Sequence, residues 1–273
     1  MTADDTRVSA GWLALREPAD AAARARDLAE HLARRPPANG LWVIHDLGCG
    51  TGAMNRWLAP QLPGSQHWVM HDRDGELLEL AAAELPGPAA DGGTVTVECK
   101  RSDITRLRTQ DLAGASLITA SALLDLMTGA ELAALAGVCA GAGCPILLTL
   151  SVVGRVSLIP ADPLDRRVEA AFNDHQRRLT GRGRLLGSDA VAFAAREFGG
   201  LGAKVLVRPS PWQLGASEAD LAAEWLAGWV GAACEQEVEL GADTDGYTPR
   251  RLAQARAGRL AVTVDHDDVL VVP

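Results

Sequence analysis

The stretch WVIHDLGCGTGAMNRWL, residues 42–58, decides the fold. An apolar run ends in Asp46, glycines follow at 48, 50 and 52, and an amphipathic segment comes next. This is the pattern of a strand, a glycine-rich turn and a helix, a ligand cradle at the carboxyl end of a parallel strand. Glycine there permits unusual dihedrals and a close approach of the backbone. Dinucleotide-binding turns read G-x-G-x-x-G. Here the pattern is D-x-G-x-G-x-G, with the last gap one residue shorter. Asp46 beside the loop repels a phosphate and suits a ligand carrying positive charge.

Strands and helices alternate outward from this turn. LWVIHDL (41–47), QHWVMHD (66–72), TVTVECK (94–100), ASLITAS (115–121) and PILLTLSVV (145–153) read as strands. Segments 52–62 and 75–85 read as helices, and TGAE at 128–131 as a capping box opening another. Apolar strands alternating with helices predict an α/β, doubly wound, mostly parallel sheet with helices on both faces. Residues 132–154 carry no charge and are long enough to span a bilayer, but Gly137, Gly141, Gly143 and Pro145 divide them into a helix, a turn and a buried strand.

Ahead of the first strand, 19–35 reads as a helix with Pro18 in its first turn and a stripe of Ala21, Ala25, Leu28 and Leu32. PPANG then breaks the chain. The division expected is an N-terminal helical lid segment, 1–38, and a main domain, 39–273, interrupted by a substrate-side insertion at 154–187. Beyond it come a helix (188–199), a strand (AKVLVRP), a turn (SPWQL) and a helix (218–234). RLAVTVDHDDVLVVP reads as a strand plus an edge extension or hairpin.

The chain has 273 residues, 48 % of them apolar and 22 % charged, enough for a sizeable core. Its net charge of −9 opposes a nucleic-acid partner, and RRLTGRGR (177–184) is the one dense basic stretch. Aromatic residues make up 4 %, too few to suggest a base-stacking platform. The five cysteines form no C-x-x-C pair, which points away from a disulfide framework or zinc site and toward a reducing, cytoplasmic setting. The opening MTADDTR has no apolar signal core.

Residues 41–153 resemble class I S-adenosylmethionine (SAM)-dependent methyltransferases, with DLGCGTG matching their first motif; the likeness is looser over 187–273. It implies a seven-stranded sheet ordered 3-2-1-4-5-7-6 with the last strand antiparallel, SAM as cofactor and S-adenosylhomocysteine as product. By the same resemblance Gly48, Cys49, Gly50 and Gly52 pack against the methionine moiety, and Asp46 serves its amino group. Asp72, with Arg73 beside it, meets the ribose hydroxyls. Asp103 takes the adenine amine while the Ile104 N–H meets the ring. An N-cap is the plainer reading of both Asp72 and Asp103. LITASALLDL resembles the fourth motif, with Ser121 at the mouth. Asp125 departs from the family, many of whose small-molecule enzymes carry His there; it is a base, a substrate anchor or a solvated acid.

On the substrate side, His175 is a general-base candidate with helical packing as its alternative. Arg177, with Arg178, Arg182 and Arg184, offers an anion site or a solvated basic face. Trp12 and Arg16 are lid candidates or plain helix packing, and Trp225 and Trp229 read as core. The reaction expected is methyl transfer to an O, N or C nucleophile of a small molecule. The alternatives are an RNA or protein methyltransferase, a non-catalytic SAM-binding protein, and an NAD(P)-dependent oxidoreductase.

Overall fold

A computed structural model describes residues 8–273. The opening MTADDTR lies outside the described residues. The main strands are β1 (Leu41–Leu47), β2 (Ser65–Asp72), β3 (Val95–Arg101), β4 (Leu117–Ser121), β5 (Ile146–Ile159), β6 (Lys204–Pro209) and β7 (Ala261–Val272). They lie in the order β3-β2-β1-β4-β5-β7-β6, as expected. The pairs from β3 through to β5 are parallel, and β7 runs antiparallel to both β5 and β6. The central strands are buried along most of their length, which explains their unbroken apolar runs. Edge strand β3 is largely exposed and carries Glu98, Lys100 and Arg101, charges that discourage edge-to-edge pairing.

The helices are α1 (Ala10–Ala23), α2 (Arg26–Ala33), α3 (Ala53–Leu58), α4 (Gly75–Ala83), α5 (Gly129–Gly141), α6 (Asp165–Gln176), α7 (Ala190–Gly200), α8 (Ala219–Gln236) and α9 (Leu240–Arg256). Leu132, Leu135 and Ala136 of α5 join Ala190, Ala194 and Phe198 of α7 against Ile118, Ile146 and Leu148. Leu28 and Leu32 of α2, Met54 and Leu58 of α3, and Leu78 of α4 pack with Ile44, Trp68 and Met70. A third core forms where β5 and β7 run on together. There Leu158 and Val262 meet Val168 of α6, Leu226 and Trp229 of α8, and Leu240 and Tyr247 of α9. This extension places a roof of helices beside the carboxyl edge of the sheet.

Several features differ from the sequence expectation. The first helix starts at Ala10, with the Ser9 hydroxyl capping the Trp12 amide at 3.1 Å, and Pro18 sits inside it. The chain then breaks at Arg24 (φ −53°, ψ 137°), because the Ala25 amide donates to the distant Asp268 carboxylate at 2.8 Å. Helix α9 has no counterpart in the sequence reading, since Gly241, Gly246 and Pro249 weaken its local propensity. Tertiary contacts hold it: the Tyr247 hydroxyl and the buried Arg251 both donate to Asp165. The last segment is a single inner strand of 12 residues, not a strand with a hairpin. Within the expected turn SPWQL, Trp212–Leu214 forms a short strand on β7.

The uncharged run at 132–154 is the end of α5, a turn and the start of β5. Among the described residues no helix is long and apolar enough to cross a membrane. The capping box forms as read, with the Glu131 amide donating to the Thr128 hydroxyl at 3.2 Å and the Thr128 amide to Glu131 at 2.8 Å.

Candidate active site

The turn after β1 bends through Gly48 and Gly50 at φ +67° and +54°, a region costly for side-chain-bearing residues. A Cβ on Gly48 would meet Leu123 at 3.3 Å, and one on Gly50 would meet Leu13 of α1 at 3.2 Å. The loop amides already have partners. Those of Gly48 and Cys49 donate to the His71 carbonyl at 2.8 and 3.0 Å, and that of Gly50 to Asp72 at 2.9 Å. A phosphate cradle needs such amides free and turned outward. Here they tie the loop to the end of β2.

A cavity of about 530 Å³ opens over this turn. Asp46, 1 % exposed, stands on its wall. One carboxylate oxygen accepts from the Thr119 hydroxyl at 2.7 Å, and Oδ2 has no partner. Burial pushes its pKa up to about 7, against the Thr119 hydrogen bond and the positive charge of Arg24. Arg24, 2 % exposed, lies on the same wall. It donates to the Ser121 hydroxyl at 3.2 Å and sits over the Trp57 ring, while its Nε and Nη1 have no partner. Burial lowers its pKa; Asp20, Asp268 and Asp46 oppose that shift.

The other end of the turn carries Asp72, whose two oxygens accept the Gly50 and Asp74 amides, each at 2.9 Å. Each oxygen keeps a second lone pair for a ligand hydroxyl. Arg73 also lines the cavity. So do Asp103 and Ile104, at its outer edge. Asp103 caps the turn that follows, accepting from the Thr105 amide at 3.0 Å and hydroxyl at 2.7 Å, which lowers its pKa. Beneath this end His45 and His71 are buried face to face, with Nδ1 of one 2.9 Å from Nε2 of the other. His71 continues to the Ser102 hydroxyl at 3.0 Å.

Helix α1 covers the cavity. Arg16 forks onto Asp20 at 2.9 and 3.2 Å, and the Trp212 indole donates to the same carboxylate at 2.9 Å. The Arg16 guanidinium lies 4.9 Å from the Trp212 ring centre. Trp12, Trp225, Phe172 and His266 share this end of the cavity. Asp125 lines it too; it is 8 % exposed, and burial raises its carboxyl pKa.

Twelve expected residues thus face one space: Trp12, Arg16, Asp46, Gly48, Cys49, Gly50, Asp72, Arg73, Asp103, Ile104, Ser121 and Asp125. Three do not. Gly52 faces Arg56, Met70 and Ala81 behind the loop. His175 points from α6 to Glu235 of α8, with its Nε2 3.2 Å from the carboxylate. Arg177 is tied to Ser188 at 2.9 Å and Asp174 at 3.0 Å, while its neighbour Arg178 lines the cavity. The helical period turns His175 away from the space, and Arg177, just past the last turn of α6, is held away from it by Ser188 and Asp174. Burial also pushes the Cys49 thiol upward, so it stays protonated and inert.

Sequence reasoning missed Arg24 and His266. Arg24 sits among several arginines, and only the long-range bond from Ala25 to Asp268 fixes its place. His266 carried a readable signal: alternation along β7 puts Val262, Val264, His266 and Asp268 on one buried face. Among the described residues no cluster of metal-ligating side chains occurs, and all five cysteines are free.

No protein-family model matches this chain, and no curated protein matches its sequence. Similar solved structures include the cyclopropane synthase MmaA2 from Mycobacterium tuberculosis, 14 % identical, covering 90 % of this chain and 82 % of that one, with a TM-score of 0.48. The E. coli protein YjhP is 13 % identical over 96 % of this chain and 98 % of its own, with a TM-score of 0.46. Magnesium protoporphyrin IX methyltransferase from Synechocystis, solved with bound SAM, is 14 % identical over 76 % and 79 %, with a TM-score of 0.41. The likeness is one of chain trace.

Proposed function

We propose that this chain transfers the methyl group of SAM to a small-molecule acceptor. The observation that carries this reading is the Arg24–Asp46 pair. Two buried ionisable groups of opposite sign on one cavity wall each keep polar atoms without a partner. Such a pair is costly alone and complements a zwitterionic amino-acid head, with carboxylate toward Arg24 and ammonium toward Asp46. Asp72 suits the ribose hydroxyls, and Asp103 with Ile104 the adenine edge. A dinucleotide fits poorly, because the loop amides are engaged by His71 and Asp72 and both Asp46 and Asp72 would face its pyrophosphate.

When bound, SAM supplies an electrophilic methyl group on a sulfonium whose leaving group is a neutral thioether. The chain's own contribution is then placement. Asp46 and Arg24 fix the amino-acid end, Asp72 fixes the sugar, and α1 with Trp12 and Arg16 shields the mouth from water. A cavity roofed by α1 favours a small acceptor over a polymer, and the net charge of −9 agrees.

Calorimetric titration tests the reading. SAM and S-adenosylhomocysteine are expected to bind and NADH to give no heat. Asp46→Asn is expected to weaken SAM binding by about 10- to 100-fold, the scale of a lost charge-assisted contact. NADH binding, or an Asp46→Asn variant with wild-type SAM affinity, overturns it.

A further inference from the structure

The lid end of the cavity is built differently from the end beside the glycine turn. Three of the chain's seven tryptophans, Trp12, Trp212 and Trp225, stand there with Phe172. Such walls suit a flat ring, which meets them by stacking or edge contact. One nitrogen-bearing side chain is set among them. His266 is 4 % exposed, its ring centre lies 5.3 Å from that of Trp212, and its Nδ1 has no hydrogen-bond partner.

The position of His266 separates it from ordinary core. On the buried face of β7 its neighbours are Val262, Val264 and Asp268. Asp268 is fully engaged, accepting from Ala25, Leu150 and Ser210. His266 is therefore the polar residue of that face whose side chain keeps a buried atom, Nδ1, without a partner. Its place along the sheet is equally specific. It pairs across from Val152 of β5, whereas Ser121 pairs across from Thr149. Val152 lies further along β5 than Thr149, past the irregularity at Leu150, so the imidazole is displaced along the sheet from Ser121 toward the lid end, where Trp212 also stands. Burial and the nearby Arg16 hold the ring neutral, with a pKa of about 4. A neutral imidazole keeps one ring nitrogen as a hydrogen-bond acceptor.

We infer that the acceptor is an aromatic hydroxyl compound, seated between these tryptophans with its O–H donated to His266. The inference rests on the methyl-transfer reading above and adds the substrate class. A phenol keeps its proton at neutral pH, with a pKa of about 10, so its oxygen needs a proton acceptor as it is methylated. In the transfer the oxygen–carbon bond forms and the carbon–sulfur bond breaks, with its electron pair left on sulfur. The O–H proton passes to the imidazole. The positive charge lost from sulfur thus reappears on His266 and leaves to solvent.

Binding and turnover test this separately. The probes are p-cresol and its isostere p-xylene, followed by tryptophan fluorescence on the full chain. Wild type is expected to bind p-cresol about tenfold more tightly than p-xylene, the scale of one buried hydrogen bond. His266→Phe is expected to bind the two alike and His266→Gln, which still accepts a hydrogen bond, to keep part of the preference. With SAM present, His266→Phe is expected to lose about 100-fold in p-cresol methylation while S-adenosylhomocysteine affinity stays at the wild-type value. The same variant is expected to methylate 4-nitrophenol, already ionised at pH 8, with a much smaller loss. No preference for p-cresol in wild type, a preference that survives in His266→Phe, or an equal loss for both phenols overturns the inference. Failure of SAM and S-adenosylhomocysteine to bind strikes the methyl-transfer reading instead, and the cresol titration does not depend on it.

Discussion

Asp268 joins three segments that are far apart in sequence. Its carboxylate accepts the Ala25 amide at the break between α1 and α2, the Leu150 amide of β5, and the Ser210 hydroxyl ahead of the Trp212 strand. Leu150 sits at φ +57°, a strained value for a side-chain-bearing residue, and the bond to Asp268 is what secures it. The same break delivers Arg24 to the cavity wall. Asp268→Ala would leave two amides and a hydroxyl unpaired in a fully buried place. We expect a loss of about 3–5 kcal/mol in urea unfolding, since each orphaned donor costs about 1–3 kcal/mol. The variant is also expected to bind SAM less tightly, because the Arg24 segment loses its anchor. Stability within 1 kcal/mol of wild type contradicts this account. None of these partnerships is visible in the sequence, where Asp268 is one of three acids within four residues.

At the scale of elements, legibility follows the range of the forces. β1 spans Leu41–Leu47 as read, because its apolar run and the glycine turn are both local signals. Helix α9 was opaque because Gly and Pro argue against it locally and Asp165, far upstream, holds it. The end of α1 was misplaced for the same reason, a remote carboxylate capturing the Ala25 amide. β5 shows the mixture well: its first half was legible, and its run past residue 153 was not. That run depends on Gly154, at φ +78°, whose carbonyl accepts from Asn173 of α6 at 2.7 Å. A Cβ there would lie 2.8 Å from the Ser188 Cβ and 3.0 Å from the Asn173 side chain. Gly154→Ala is therefore expected to cost about 2–4 kcal/mol, from strained φ and crowding together, and to lower Tm by about 5–10 °C. Gly137→Ala, inside α5 with nothing within 4 Å of the new methyl, is the matched control and should raise stability by about 0.5–1 kcal/mol. A Gly154→Ala protein as stable as wild type removes the strain argument.

For the molecule as a whole, most of the site residues that were legible follow the ends of β1 to β4, with Trp12 and Arg16 of α1 beside them, and those that were not are placed by long-range contacts. The turn, Asp46 and Asp72 follow strand ends in order, so a linear pattern carries them; Arg24, Trp212 and His266 meet only through folding. The same burial that makes these groups useful links stability to pH. His45, His71 and His266 all have pKa values held down to about 4, chiefly by burial. A histidine whose folded value lies below its unfolded value of about 6.5 stabilises the neutral state. Its contribution is complete above about pH 6.5 and is lost as pH falls to about 4, because the unfolded chain takes up the proton first. Asp46 has the opposite sign. Its folded value, about 7, lies above the ordinary carboxyl value of 3.8, so its contribution is present in acid and declines as pH rises between the two. Three imidazoles outweigh one carboxyl, and the net expectation from these groups is destabilisation from pH 6.5 down to 4.5. The His45–His71 pair isolates the effect, since a second proton would set two N–H groups face to face across 2.9 Å. Replacing both with leucine should leave a shallower slope of unfolding free energy against pH in that range than wild type shows. Because the His71 carbonyl also holds the Gly48 and Cys49 amides, SAM affinity in wild type should weaken over the same interval and do so less in the double variant. Equal slopes in the two proteins would place the acid sensitivity elsewhere, on the ordinary protonation of paired carboxylates.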